Sequence, residues 1–194
     1  MKSSFYIHII LERFTFYLKY SILIQVKLLF IKFLKGLIIL NIMKKIYKNK
    51  EFMSEATPIL THNEFIKTKS IVHHGTTRYN HSVRVAYLSY LVSKTLGLDT
   101  KAIIKGAVLH DFFLVRNDET AVSQTKMLID HPKLAKENAK YYFGINEKEQ
   151  NIIESHMFPI SNTVPKFKES WVVSICDKLI SSFESLTYVK SHVN

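Results

Sequence analysis

From residue 44 onward the apolar residues recur three and four positions apart, and no stretch alternates apolar with polar over the length of a strand. That spacing predicts an all-α domain, a bundle of five or six helices with short connections. A helix opens after Thr61 as its cap and runs to about 72. His73-His74-Gly75-Thr76-Thr77 reads as a loop, after which Asn80 caps a long helix ended by Gly97. Asp99 or Thr100 caps the next, which runs to Asp111. A longer connection covers roughly 112–130, and Pro132 then starts a helix that stops near Gly144. Asn146 with Glu149 three residues on forms a capping box for a helix reaching about His156. Pro159 and Pro165 bracket a loop, and a last long helix covers 166–186.

Several polar residues fall on the apolar faces of these helices. Val85, Leu88 and Val92 make a stripe, and four residues before Val85 stands His81, aimed at the core. His110 and Asp111 close a run, 102–113, that is otherwise mostly apolar or small. Asp177 lies among Val172, Val173, Ile175, Leu179 and Ile180. His156 shares the face of Ile152 and Ile153, and His131 sits at a helix start from which its ring can turn inward. Each alone reads as a buried histidine bonded to a carbonyl, or an Asp paired with Lys178. As an ensemble they ask for more, because an unpaired buried carboxylate costs several kcal/mol and calls for a compensating cation. Imidazoles and carboxylates without a thiolate suit Fe, Mn, Co, Ni or Zn.

Composition narrows the partners and the compartment. The net charge of +11 is unevenly spread: residues 1–50 hold ten Lys/Arg against one Glu, whereas residues 51–194 hold seventeen against fifteen acids. The excess lies outside the ligand-bearing body, so no nucleic-acid partner is expected. Cys176 is the only cysteine, which excludes an intramolecular disulfide and any thiolate zinc site and makes the cytoplasm the natural compartment. The chain divides into a basic hydrophobic segment, 1–50, and a domain, 51–194. In the first, Lys19, Lys27, Lys32 and Lys35 limit uncharged runs to about eight residues, against the roughly twenty that a spanning helix needs. Glu12 and Arg13 stand where a secretory signal would be apolar. Two readings of 1–42 stay open: a peripheral helix on an anionic membrane surface, or a mis-assigned start with Met43 as the native one.

The sequence resembles the HD-domain superfamily of metal-dependent phosphohydrolases. The match is His81 in Tyr-Asn-His-Ser-Val-Arg-Val-Ala, then His110-Asp111 in Ala-Val-Leu-His-Asp-Phe-Phe, then Asp177 in Cys-Asp-Lys-Leu, over roughly 70–185. His131 and His156 occupy the places of two further histidines in the superfamily's dinuclear branch. Small bacterial HD-domain hydrolases share the His-Gly before the first ligand and the later His-Met-aromatic-Pro. The HD-GYP branch has a Lys three residues past its HD and a Gly-Tyr-Pro tripeptide. Here that place is Leu114 and the tripeptide does not occur, so cyclic di-GMP hydrolysis is not implied.

The resemblance implies two divalent ions (Fe, Mn, Co, Ni, Zn or Mg), bridged by Asp111. His81, His110 and Asp177 complete one site, and His131 and His156 the other. It further implies metal-activated hydroxide attacking a phosphate mono- or diester of a small metabolite or nucleotide. Arg78, Lys105 and Lys133 are the candidate phosphate contacts and His74 the candidate proton donor. The alternatives are a diiron oxygenase with the same six ligands and a non-catalytic HD domain that binds a metal or nucleotide.

Overall fold

Seven α-helices carry nearly all the regular structure among the described residues: α1 (Lys50–Leu60), α2 (Asn63–Ile66), α3 (Arg78–Leu96), α4 (Thr100–Leu109), α5 (Gln124–Phe143), α6 (Glu147–Ser155) and α7 (Lys168–His192). The computed structural model describes residues 44–73, 75–114 and 124–192, with side chains over 129–186 in the last stretch. Two short strands, β1 (Val72–His73) and β2 (Thr76–Thr77), pair antiparallel, with Val72 opposite Thr77 and His73 opposite Thr76. The all-α expectation holds. Among the described residues no helix is long and apolar enough to cross a membrane. Residues 1–43, including the basic segment, lie outside the described residues.

α3 packs against α4 and α7, and α6 packs against α4, α5 and α7. The single stripe expected on α3 understates its burial. His81, Val83, Val85, Ala86, Tyr87 and Tyr90 are all buried, so more than one side of the helix is covered, as befits a central helix. Gly97 ends α3 in the left-handed region at φ 64°, where a Cβ would be strained. Asp99 caps α4, its carboxylate accepting from the Ala102 N–H at 3.1 Å. The capping box of α6 is present as read: Asn146 and Glu149 accept from each other's backbone N–H at 2.9 Å.

Gly106 lets α4 and α6 approach closely, because a Cβ there would sit 2.7 Å from Ile152 Cγ2 and 3.0 Å from its Cβ. Those atoms lie at the root of a branched side chain and have little freedom to yield. Gly106→Ala is expected to cost about 1–2 kcal/mol despite its better helix propensity. Denaturant unfolding of the two proteins checks this, and an unchanged midpoint would mean that the helices separate at no cost.

Several boundaries differ from the sequence reading. α1 precedes the first expected helix, with Pro58 inside it. The helix expected from Thr61 to 72 is capped by His62, whose Nδ1 accepts from the Glu64 N–H, and its α-helical part ends at Ile66. A tighter turn, Lys67–Ser70, follows. There the Thr68 and Ser70 hydroxyls donate back to the Phe65 and Lys67 carbonyls and compete with helix continuation. Thr77, not Asn80, caps α3: its hydroxyl accepts from the Asn80 N–H at 3.2 Å. α5 begins at Gln124, so Pro132 lies within it and not at its start.

Candidate metal centre

Five helices and the small hairpin deliver seven polar side chains to one buried cluster. The ends of α4 and α6 contribute in the same way. His110 and His156 are the C-terminal caps of these helices, and the Nδ1–H of each donates to the carbonyl three residues back, Ala107 and Ile153, both at 2.7 Å. A carbonyl only accepts, so each Nδ1 carries a proton and each Nε2 is the atom turned toward the cluster. These carbonyls are among the unsatisfied groups of a helix C-terminus, whose partial negative charge also favours a cation nearby.

Asp111, buried, spans the group. Its Oδ1 lies 3.3 Å from His131 Nε2 and 3.6 Å from His156 Nε2, while Oδ2 lies 3.4 Å from His73 Nε2 and 3.8 Å from His110 Nε2. His131 Nε2 and His156 Nε2 are 3.0 Å apart. Because His156 already donates through Nδ1, His131 supplies the hydrogen between them. His81, from α3, has Nε2 3.1 Å from Asp177 Oδ1 of α7 and Nδ1 2.7 Å from Glu184 Oε2 on the same helix. Three overlapping triads each bring three ligand atoms within 4.8 Å of one another: His73, His81, Asp111; His81, His110, Asp177; and His110, Asp111, His156.

One atom tests whether an ion fits. His110 Nε2 is buried with no hydrogen-bond partner, and the nearby Asp177 and Asp111 oxygens, at 3.7 and 3.8 Å, are beyond hydrogen-bond reach. A buried Nε2 without a partner that faces two carboxylates is costly in an interior and suits a metal cation in place of its proton. The ionisation states agree. Burial alone would raise the Asp111 and Asp177 carboxyls, yet the charge of His110 and bonds to His131 and His81 hold both well below the usual carboxylate range. Burial likewise opposes charge on His81, but its hydrogen bonds to Asp177 and Glu184 prevail and push it up to about 10. Burial and the neighbouring His110 push His156 down to about 3.

A family profile, described as HD domain, matches residues 78–181, more than half of the chain. The chain belongs to the HD-domain family. The match encloses His81, His110, Asp111, His131, His156 and Asp177, while His73 and Glu184 fall outside it. No curated protein and no solved structure matches the chain.

Of the residues singled out in the sequence, the six His and Asp positions of the HD domain meet in this cluster. Of the proposed phosphate contacts, Arg78 interacts electrostatically with Asp111. Arg78 is buried flat against Phe113, its guanidinium 3.6 Å from the ring centre and Nη1 donating to the Phe113 carbonyl at 2.6 Å. It thereby anchors the segment just after Asp111. Lys105 is five residues before His110, a rotation of roughly 140° about the helix axis. Its amine reaches the Gly144 carbonyl at 3.3 Å and Glu149 at 3.4 Å, near the start of α6. Lys133 is exposed on α5. His74 lies outside the described residues. Lys178 does not pair with Asp177, since adjacent helix residues diverge. It donates to the His156 carbonyl at 2.9 Å, which also accepts from the Ser174 hydroxyl at 2.8 Å.

Sequence reasoning missed His73 and Glu184. Strand alternation separates Val72, 79% exposed, from His73, which turns inward. Glu184 stands seven residues after Asp177, two turns along the same helix face, and that spacing was a readable signal.

Proposed function

We propose that this HD domain is a metal-dependent phosphohydrolase that cleaves a phosphate mono- or diester of a small metabolite or nucleotide. The observation that carries the reading is the unpartnered Nε2 of His110, buried between two carboxylates. HD domains are typically metal-dependent phosphohydrolases, and the cluster has the donor chemistry for a divalent ion. In this reading His81, His110, Asp111 and Asp177 would hold one ion, and His131 and His156 with Asp111 would hold a second. Asp111 suits a bridging role because its two oxygens face different imidazoles. Bound divalent ions supply an acidified water and polarise phosphoryl oxygens.

The chain's own part is to fix the ligands and to handle protons. Main-chain carbonyls orient His110 and His156, so little reorganisation accompanies binding. The hydrogen that His131 donates toward His156 must leave or move to Nδ1 before both Nε2 atoms can act as ligands. His74, outside the described residues, is the proposed proton donor to a leaving oxygen. His73, half-buried, has its Nε2 3.4 Å from Asp111. The test is phosphate release from a panel of mono- and diesters with Mn, Co, Ni, Fe, Zn or Mg supplied in turn. Turnover of at least one ester that depends on the ion is expected. A panel without turnover under every ion would remove the hydrolase reading.

A further inference from the structure

His81 is held at both ring nitrogens by α7. Asp177 meets Nε2 at 3.1 Å and Glu184 meets Nδ1 at 2.7 Å, and both acids are buried. The second oxygen of Glu184 accepts from Arg84 Nη1 at 2.8 Å, one turn after His81 on α3. Arg84 thus neutralises a carboxylate that would otherwise be buried at high cost. Glu184 is outside the family match.

We propose that Glu184 is a positioning residue: it holds the Nδ1–H of His81, so that Nε2 is the atom presented to an ion beside Asp177 and His110. The proposal rests on the reading that the cluster binds a divalent ion. A carboxylate behind a ligating imidazole fixes its tautomer and rotation and strengthens it as a donor. Rotating the His81 ring would forfeit its 2.7 Å bond to Glu184. The arrangement spans α3 and α7, so it also couples the ligand's aim to the packing of those two helices.

The decisive comparison separates reach from charge. Glu184→Gln keeps an acceptor oxygen at the same distance and loses the charge, whereas Glu184→Asp keeps the charge and withdraws the acceptor by one methylene. Affinity for Co2+ and Mn2+ is measured by chelator competition on the full chain, with circular dichroism as the check on folding and the visible Co2+ spectrum as the report on ligand geometry. We expect Glu184→Ala and Glu184→Asp to weaken binding about tenfold to a hundredfold and to alter the Co2+ spectrum. Glu184→Gln should lose only a few-fold and keep the spectrum. If Glu184→Ala does not fold, the Gln and Asp variants alone decide. Wild-type affinity in both folded variants overturns the positioning role. So does an Asp variant that binds like wild type while Gln does not, since charge alone then explains the effect. A wild-type chain that takes up no divalent ion overturns the metal reading itself, before any variant is compared.

Discussion

Asp111→Ala is expected to abolish stoichiometric metal binding and to reduce phosphate-ester hydrolysis by about a hundredfold to a thousandfold or more. Each carboxylate oxygen serves its own pair of imidazoles: Oδ1 faces His131 and His156, and Oδ2 faces His73 and His110. Its loss leaves the five imidazoles of the cluster with one carboxylate, Asp177, among the seven side chains. The charge of Asp111 is also the main support for protonated His110 against the pull of burial, so the variant should lower the His110 pKa. Elemental analysis per chain and phosphate release under the best ion check the two parts separately. A variant that retains its full metal content would show that Asp111 is not a ligand.

Chelation should lower the melting temperature, and by more at pH 8.5 than at pH 6. An ion held at a hundred times its Kd stabilises the fold by about 2.7 kcal/mol. For a domain of this size that corresponds to roughly 5–10 °C. The pH dependence follows from His81. Its folded pKa, about 10, lies above the ordinary 6.5, so in the metal-free protein its contribution is complete below pH 6.5 and is lost as pH rises toward 10. An ion must displace that proton, so binding strengthens over the same window. His156 acts on the other side. Its folded pKa, about 3, lies below 6.5, so the metal-free fold loses stability as pH falls from 6.5 toward 3. Melting curves with and without chelator from pH 4 to 9 read both limbs, and a chelation shift that shrinks as pH rises would contradict the role given to His81.

Much of the bundle was legible because helix signals are local. The Asp99 cap, the Asn146–Glu149 box and the Gly97 stop each depend on residues within one turn, and each appears where the sequence placed it. The inward His and Asp positions were legible through periodicity, since a residue four places from a buried Val shares its face. What could not be read was set by partners distant in sequence. The place of Arg78 depends on the Phe113 ring and carbonyl 35 residues away, which no local pattern announces. Lys105 was assigned by closeness to His110 in sequence, which says nothing about azimuth on a helix. His73 was passed over because a two-residue strand carries too little pattern to show which side chain turns inward.

The two helix-end histidines bear on how such a site tolerates sequence drift. Their acceptors are the main-chain oxygens of Ala107 and Ile153, and those atoms persist whatever side chain replaces either residue. Substitutions there can erode packing without erasing the acceptors that aim the rings. Vulnerability is transferred to the backbone instead: fraying the last turn of α4 or α6 would release one imidazole with its carbonyl in a single event. Ligand loss at these two positions is therefore a report on helix-end opening, and amide exchange at 107–111 and 153–157 would register the bound ion at a distance from its own coordination bonds.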